Sequence, residues 1–268
     1  MLALLIIIGI QIFLAVFFIR YLMRNDRGAK EPKSAIRAAI GFGLLALIIV
    51  FPFTMLMTLF PGLKELSEIT HEQIRSGDID IAIVFLSMML VGVIEESAKA
   101  LPLALYIYKK PYFNEITDGV FYFGIVGITF SVIESIFYTL QYGAGVGIGR
   151  LILTPFLHTG FSMWFGYTLA RYKLHTGGIH LVIVAFVSSM LLHGMYNFGM
   201  SSGMPGYFIF SLIIAIALNI GVFLLYRHAQ DEDVSINIAS NNSNNFCRSC
   251  GKPNAKHTLF CESCGQHT

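Results

Sequence analysis

The chain has 268 residues, 55% of them hydrophobic and only 13% charged, with a net charge of +2 and a mean hydropathy of +0.68. Soluble domains carry about 25% charged residues because a folded surface must be solvated, so a water-soluble globule is excluded and a polytopic membrane protein is expected. The small net charge offers no electrostatic footprint for nucleic acid, and all four cysteines fall in the last 22 residues, which excludes a disulfide framework across the body.

A helix needs about 20 apolar residues to cross roughly 30 Å of hydrocarbon. In chain order the predicted spans are Met1–Ile19, Ala35–Phe60, Ile81–Tyr108, Gly119–Leu140, Leu151–Ala170, Ile179–Met200 and Tyr207–Tyr226. Their apolar runs are continuous, not alternating, which argues against a β-barrel. The first span lacks the basic n-region and small-residue cleavage site of a signal peptide and is expected to be a retained helix. The connection Pro61–Asp80, carrying Glu65, Glu68, Glu72, Asp78 and Asp80, reads as a solvated outer loop with a short helix. Gly143–Gly149 reads as a flexible outer turn, and Gly124-x2-Gly127 as a small-residue packing face.

Basic residues orient the bundle. Fourteen lie on one side: Arg20, Arg24, Arg27, Lys30, Lys33 and Arg37 around the first connection, Lys109 and Lys110 in the third, Arg171 and Lys173 in the fifth, and Arg227, Arg248, Lys252 and Lys256 at the C-terminus. The opposite side holds Lys64, Arg75 and Arg150. The positive-inside rule therefore puts the N-terminus outside and the C-terminus in the cytoplasm, which requires an odd number of spans. The expected fold is all-α: about seven transmembrane helices in residues 1–228, a flexible linker over 229–245, and a zinc-ribbon tail over 246–268.

That tail contains Cys247-x2-Cys250-Gly and, ten residues on, Cys261-x2-Cys264-Gly. Two such pairs bring four thiolates to tetrahedral Zn²⁺, each following glycine permitting the tight turn beneath the metal. So short a segment builds no hydrophobic core, and metal binding supplies its folding free energy. A redox dithiol needs only one such pair, and a reducing cytoplasm disfavours a structural disulfide. Four cysteines close the coordination sphere, so the site is structural, with His257 and His267 as bystanders. The tail resembles small zinc ribbons appended to bacterial membrane proteins; its partner is unknown.

Ionisable side chains at membrane depth are costly and mark functional sites. The third span reads VIEESAKALP. Glu95 and Lys99 stand four residues apart on one face and are expected to pair, while Glu96 is turned about 100° away. The fourth span carries Phe130-x3-Glu134, the fifth His158, and the sixth His193-x3-Asn197. Taken singly, each can be a satisfied polar group inside a bundle. At 1.5 Å per residue, Glu134 lies about 22 Å and His193 about 21 Å from the cytoplasmic ends of their spans, and His158 about 10 Å below the outer end of its own. The three converge on the outer half of the bilayer. Glu95, about 21 Å from Ile81 on a straight helix, is deeper unless its long span tilts or enters late. Three carboxylates, two imidazoles, an amide and a lysine from four helices exceed what packing requires. They point to a water-activating hydrolytic site or a metal site open to the outer face.

In that order on successive helices, EExxK, FxxxE, an isolated His and HxxxN resemble the PrsW family of intramembrane proteases. That family is grouped with CAAX prenyl endopeptidases and bacteriocin-immunity-type membrane proteases. The resemblance runs roughly from Ala82 to Met200 and leaves out the first and seventh spans and the tail. It implies a bacterial cytoplasmic-membrane enzyme performing site-1 cleavage of a single-span membrane protein, such as an anti-sigma factor, at its extracytoplasmic side. Glu95 and Glu96 match the paired glutamates, Lys99 the basic member, Phe130 and Glu134 the second motif, His158 the third, and His193 with Asn197 the last. CAAX endopeptidases carry His where Glu134 stands and usually Arg where Lys99 stands, so prenyl-protein processing fits less well.

Peptide hydrolysis needs an activated water, a stabilised oxyanion and a protonated leaving amine. Two routes are open. In a metal-free route Glu95 is the general base, sharing a proton with a nearby Glu134; His193 and Asn197 donate to the oxyanion. Lys99 then keeps a neighbouring glutamate ionised, and His158 orients water or serves as acid. In the other, Zn²⁺ sits on His158, His193 and a glutamate with a fourth position for water, although no HExxH is present. The rivals outside hydrolysis are a non-catalytic membrane scaffold of the same fold and a proton-coupled transporter. The filled motif positions count against the first, and the lack of an inverted repeat or paired broken helices against the second. The partners expected are a single-span substrate and the lipid bilayer.

Overall fold

The computed structural model describes residues 2–57, 76, 81–235, 246–247, 249–252, 261 and 263–266. These contain eight helices: α1 (Leu2–Asn25), α2 (Lys33–Met57), α3 (Ile81–Ile107), α4 (Ile116–Tyr142), α5 (Ala144–Leu153), α6 (Pro155–Lys173), α7 (Ile179–Ser201) and α8 (Pro205–Ser235). Each predicted span corresponds to one of them. The acidic connection Pro61–Asp80, apart from Ser76, lies outside the described residues.

Six of the helices are long and apolar enough to cross a membrane: α1, α2, α3, α4, α7 and α8. Besides the short α5, α6 is the exception, and it alone among the helices that match a predicted span. At 19 residues α6 is about 28 Å long, but Thr159, Ser162 and other polar groups interrupt its apolar run. Most of it, including Leu157 to Met163, is buried inside the protein, so its solvent is the bundle and not lipid. Large apolar side chains such as Leu5, Phe13, Phe51, Leu105, Ile213 and Leu224 are exposed on the outer helices, where a bilayer solvates them.

Helix α4 is the axis, with every residue from Ile116 to Val132 buried. Its small residues let α6 lie directly on it. A Cβ on Gly119 would stand 2.1 Å from the Gly166 carbonyl oxygen, and one on Gly127 2.6 Å from Thr159 Cα. Further along, Ser131 donates to the Thr154 carbonyl at 2.9 Å. The contacts climb α4 while descending α6, so the pair is antiparallel, and the small face predicted around Gly127 is what it packs. Helices α3 and α7 form a second antiparallel pair, with Phe85 against Phe198 at 5.4 Å and Glu96 against His193 at 2.7 Å.

Two expectations need correction. The glycines after α4 do not make a loose turn: Gly143 at φ +87° ends α4, and α5 begins at Ala144. Gly147 is its one buried residue, close against the Thr139 side chain, and this contact holds α5 on the bundle. The linker predicted from residue 229 is helical through Ser235. Its end is tied down because Asp233 accepts the N–H groups of Ile116 and Thr117, both at 2.7 Å, and the Thr117 hydroxyl at 2.6 Å. A carboxylate there satisfies donors that the first turn of α4 would otherwise leave unpaired. Gln230 adds a hydrogen bond to the Asn25 carbonyl at 2.6 Å. Residues 236–245 lie outside the described part.

Candidate active site

The α3–α7 pair meets the α4–α6 pair at one cluster of buried polar groups. On α7, His193 Nδ1 lies 2.7 Å from Glu96 Oε1, and Lys99 Nζ lies 2.5 Å from the same oxygen. A carboxylate oxygen shared by an ammonium and an imidazole accepts from both, so His193 Nδ1–H donates to Glu96 and Nε2 is the nitrogen left facing the cluster. On α6, His158 Nε2 is 3.0 Å from Glu134 Oε2, which also binds the Arg150 guanidinium. His158 Nδ1 faces Lys99 Nζ at 2.9 Å. A donor-only ammonium on one side and an acceptor-only carboxylate on the other assign the tautomer: Nε2–H donates to Glu134 and Nδ1 accepts.

A nitrogen of each imidazole lies near one further oxygen. Glu95 Oε2 is 3.8 Å from His193 Nε2 and 4.0 Å from His158 Nδ1. It is buried and hydrogen bonds to none of the described residues. Glu95, His158 and His193 offer three ligand atoms within 4.8 Å of one another; of these His158 Nδ1 accepts from Lys99, whereas Glu95 Oε2 has no donor. Burying such a group unsatisfied is unfavourable, and a cation resolves it. Two imidazoles and a carboxylate are also the protein ligands of a catalytic metal site, and here each imidazole is braced from behind by another carboxylate, Glu96 or Glu134, as metal-binding histidines commonly are. The residues therefore fit a divalent metal.

Aromatic rings wall the cluster. The two imidazoles stand edge to face with centroids 4.9 Å apart; Phe161 stacks on His193 at 5.8 Å, and Phe130 lies 5.2 Å from His158. Lys99 Nζ sits 4.7 Å over the Phe130 ring, so the apolar member of FxxxE touches two of the ionisable groups.

Six of the seven predicted site residues, Glu95, Glu96, Lys99, Glu134, His158 and His193, come together. Helix α3 passes its mid-length beside the other three helices, so the depth calculated for Glu95 on an isolated helix is no obstacle. Two expected relationships differ. Lys99 pairs with Glu96 at i,i+3 and not with Glu95, because Glu96 faces α7 and its histidine. Glu134, expected to share a proton with Glu95, is held by Arg150 and His158. Asn197 is half-buried one turn beyond His193, and its amide has no hydrogen bond to a described residue. The sequence reading missed Arg150, counted as a loop charge. The available signal was a single arginine within a short apolar stretch between two motif-bearing spans.

In the tail, Cys247 and Cys264 sulfurs are 3.5 Å apart and those of Cys250 and Cys261 3.7 Å; all four lie within 4.8 Å of one another and can hold a metal ion. The two halves repeat one turn. Gly251 N–H donates to the Cys247 carbonyl and Gly265 N–H to the Cys261 carbonyl, each at 2.8 Å. Both glycines adopt positive φ, +73° and +69°, the left-handed conformation that favours glycine. His257 and His267 lie outside the described residues.

Residues 31–224 match the family described as PrsW family intramembrane metalloprotease. The chain is 27% identical over 199 residues to "Protease PrsW" of Clostridioides difficile (strain 630), covering 70% of this chain and 75% of that protein. It is 24% identical over 194 residues to "Protease PrsW" of Bacillus subtilis (strain 168), covering 72% and 81%. A third relative, "Protease PrsW" of Oceanobacillus iheyensis, is 29% identical over 139 residues, covering 51% of this chain and 63% of its own. No solved structure matches.

Proposed function

The chain belongs to the PrsW family of intramembrane metalloproteases, a multi-pass protease of the bacterial cell membrane, and from that premise we propose that its reaction takes place among Glu95, His158 and His193. The observation carrying this reading is Glu95 Oε2, buried with no hydrogen-bond donor and set 3.8 and 4.0 Å from a nitrogen of each imidazole. Those three residues would hold the metal. When bound, a divalent cation such as Zn²⁺ supplies Lewis acidity, polarising the scissile carbonyl and making water a stronger acid.

The protein's own groups do the rest. Glu96 and Glu134 fix the tautomers of His193 and His158, so that both rings present acceptors. Lys99 neutralises Glu96 and, 2.9 Å from His158 Nδ1, is the group that would protonate the leaving amine. Glu95 takes the proton that water gives up, and Asn197, with its amide free, donates to the oxyanion. Phe130 and Phe161 exclude bulk water and so strengthen every charge interaction inside.

The substrate class is a single-span membrane protein, cleaved near its extracytoplasmic side in a site-1 step, for which an anti-sigma factor is the type case. Loop charge supports this orientation, since the cluster lies toward the end of the bundle away from the basic connections. The four tail cysteines would hold a structural Zn²⁺. The test compares membrane proteins accumulating in cells with the wild-type enzyme and with Glu95→Ala. A trimmed single-span protein found only with wild type is expected; identical membrane proteomes would overturn the reading.

A further inference from the structure

The tail does not stand apart from the bundle. Phe246, the residue before the first knuckle, is 7% exposed and packs edge-on against Tyr112 at 5.9 Å, within the buried cluster that surrounds α4. Cys247 is fully buried. A Cβ on Gly251 would lie 2.8 Å from the Tyr112 ring and 3.4 Å from Ser34 Oγ, so a residue without a side chain is what allows so close a seat. Tyr112 belongs to the connection between α3 and α4. It leans on Tyr122 at 6.0 Å, whose hydroxyl donates to Glu31 in the α1–α2 connection.

We propose that the first cysteine knuckle is a docked, metal-dependent part of the protease, and that its partner is this protein's own α3–α4 connection, centred on Tyr112. The inference rests on the metal reading of the four cysteines. The knuckle is too short for a core of its own, so the metal holds the turn that presents Gly251 and fixes the chain direction at Phe246. Loss of the metal frees both residues from Tyr112. By linkage, docking must tighten metal binding by the factor with which the metal tightens docking. The connection being clamped joins the helix carrying Glu95, Glu96 and Lys99 to the helix carrying Glu134. Metal supply at the cytoplasmic tail thereby sets the order of the element between the first two motifs.

The experiment uses the full chain and Co²⁺. All four cysteines are in the tail, so thiolate-to-cobalt absorption reports that site alone, whatever binds at the glutamate and histidines. Tyr112→Ala, outside the tail, is expected to lose Co²⁺ to a competing chelator about tenfold more readily than wild type with an unchanged spectrum, a coupling of ordinary size. In wild type, amide hydrogen exchange over residues 108–115 is expected to slow when Co²⁺ binds, an effect absent in Cys247→Ser. Unchanged retention in a folded Tyr112→Ala, or unchanged exchange over 108–115, would overturn docking. If that variant does not fold, the wild-type exchange comparison decides alone. A wild-type protein with no thiolate–cobalt band would instead overturn the metal reading beneath it.

Discussion

Lys99 and Glu96 form a fully buried ion pair, with the ammonium nitrogen 2.5 Å from Oε1. The same oxygen lies 2.7 Å from His193 Nδ1, so one carboxylate joins α3 to α7 while its countercharge comes from its own helix. Removing one partner of a buried pair leaves an uncompensated charge, at about 3–5 kcal/mol. Lys99→Met should therefore lower the thermal unfolding midpoint markedly, and the double variant Lys99→Met/Glu96→Gln should recover part of the loss. A double variant no more stable than the single one would show that the stranded anion is not the cause.

Glu95 is the opposite case, a buried carboxylate with an oxygen lacking a partner. Glu95→Gln should reduce cleavage of a single-span reporter by about 10²–10⁴-fold, the usual contribution of positioned proton transfer. In protein stripped of metal its unfolding midpoint should hold or rise, since no native hydrogen bond to that oxygen is lost. A variant that loses activity only in proportion to a fall in stability would place Glu95 among structural residues.

Arg150 acts through Glu134, and Glu134 through His158. Its guanidinium also stacks over Tyr138 at 4.1 Å and donates to Ser135 at 3.2 Å. Arg150→Gln should lower reporter cleavage by about 10–100-fold, the range for groups orienting a metal ligand, with Arg150→Lys restoring part of it. Activity equal to wild type in Arg150→Gln would remove Arg150 from the site.

The α4–α6 seam is a packing prediction. Gly127→Val would drive side-chain atoms into the Thr159 and His158 backbone, where α6 cannot yield without moving His158. Folded yield in detergent should fall steeply, whereas Gly149→Val, with open space around it, should express like wild type.

At the opposite end, Glu115 is buried beneath the Ala29 amide, which donates to it at 3.2 Å. Burial first, then the neighbouring charge of Asp118, raises its carboxyl to about 8, with Asp233 and Asp26 adding to the effect. An acid raised in the folded state favours folding fully below its unfolded value of 4.5 and progressively less as pH climbs through about 8. The unfolding midpoint should fall between those limits, and Glu115→Gln should flatten that decline. An equally steep decline in the variant would assign the slope to other groups, Glu31 among them, which is likewise raised to about 8.

The spans were legible because apolar length is a property of a stretch of chain. Helix α6 was found as a span from its length despite Thr159 and Ser162, and the structure gives the reason for its polarity: protein surrounds it. The site residues were legible as types and as an order on successive helices. Their pairing was not, because spacing on α3 makes Lys99 equally available to residues three and four positions back, and α7 decides between Glu96 and Glu95. Arg150 was legible only as a lone arginine in an apolar stretch, since folding α5 back along α4 is what brings it to Glu134. The helical stretch after residue 228 escaped for a similar reason. Its charges suit a linker until Asp233 is seen capping α4.

Local composition and spacing within single segments were enough to establish a helical membrane body, the glutamates, histidines and lysine of the motifs, and the two cysteine pairs. Which donor meets which acceptor, that Glu95 Oε2 has no donor, and that the tail sits on Tyr112 emerge only from the packed helices. Those facts depend on side chains from separate helices reaching within about 3–4 Å of each other, the distance over which hydrogen bonds and close packing act, and no one-dimensional pattern carries them.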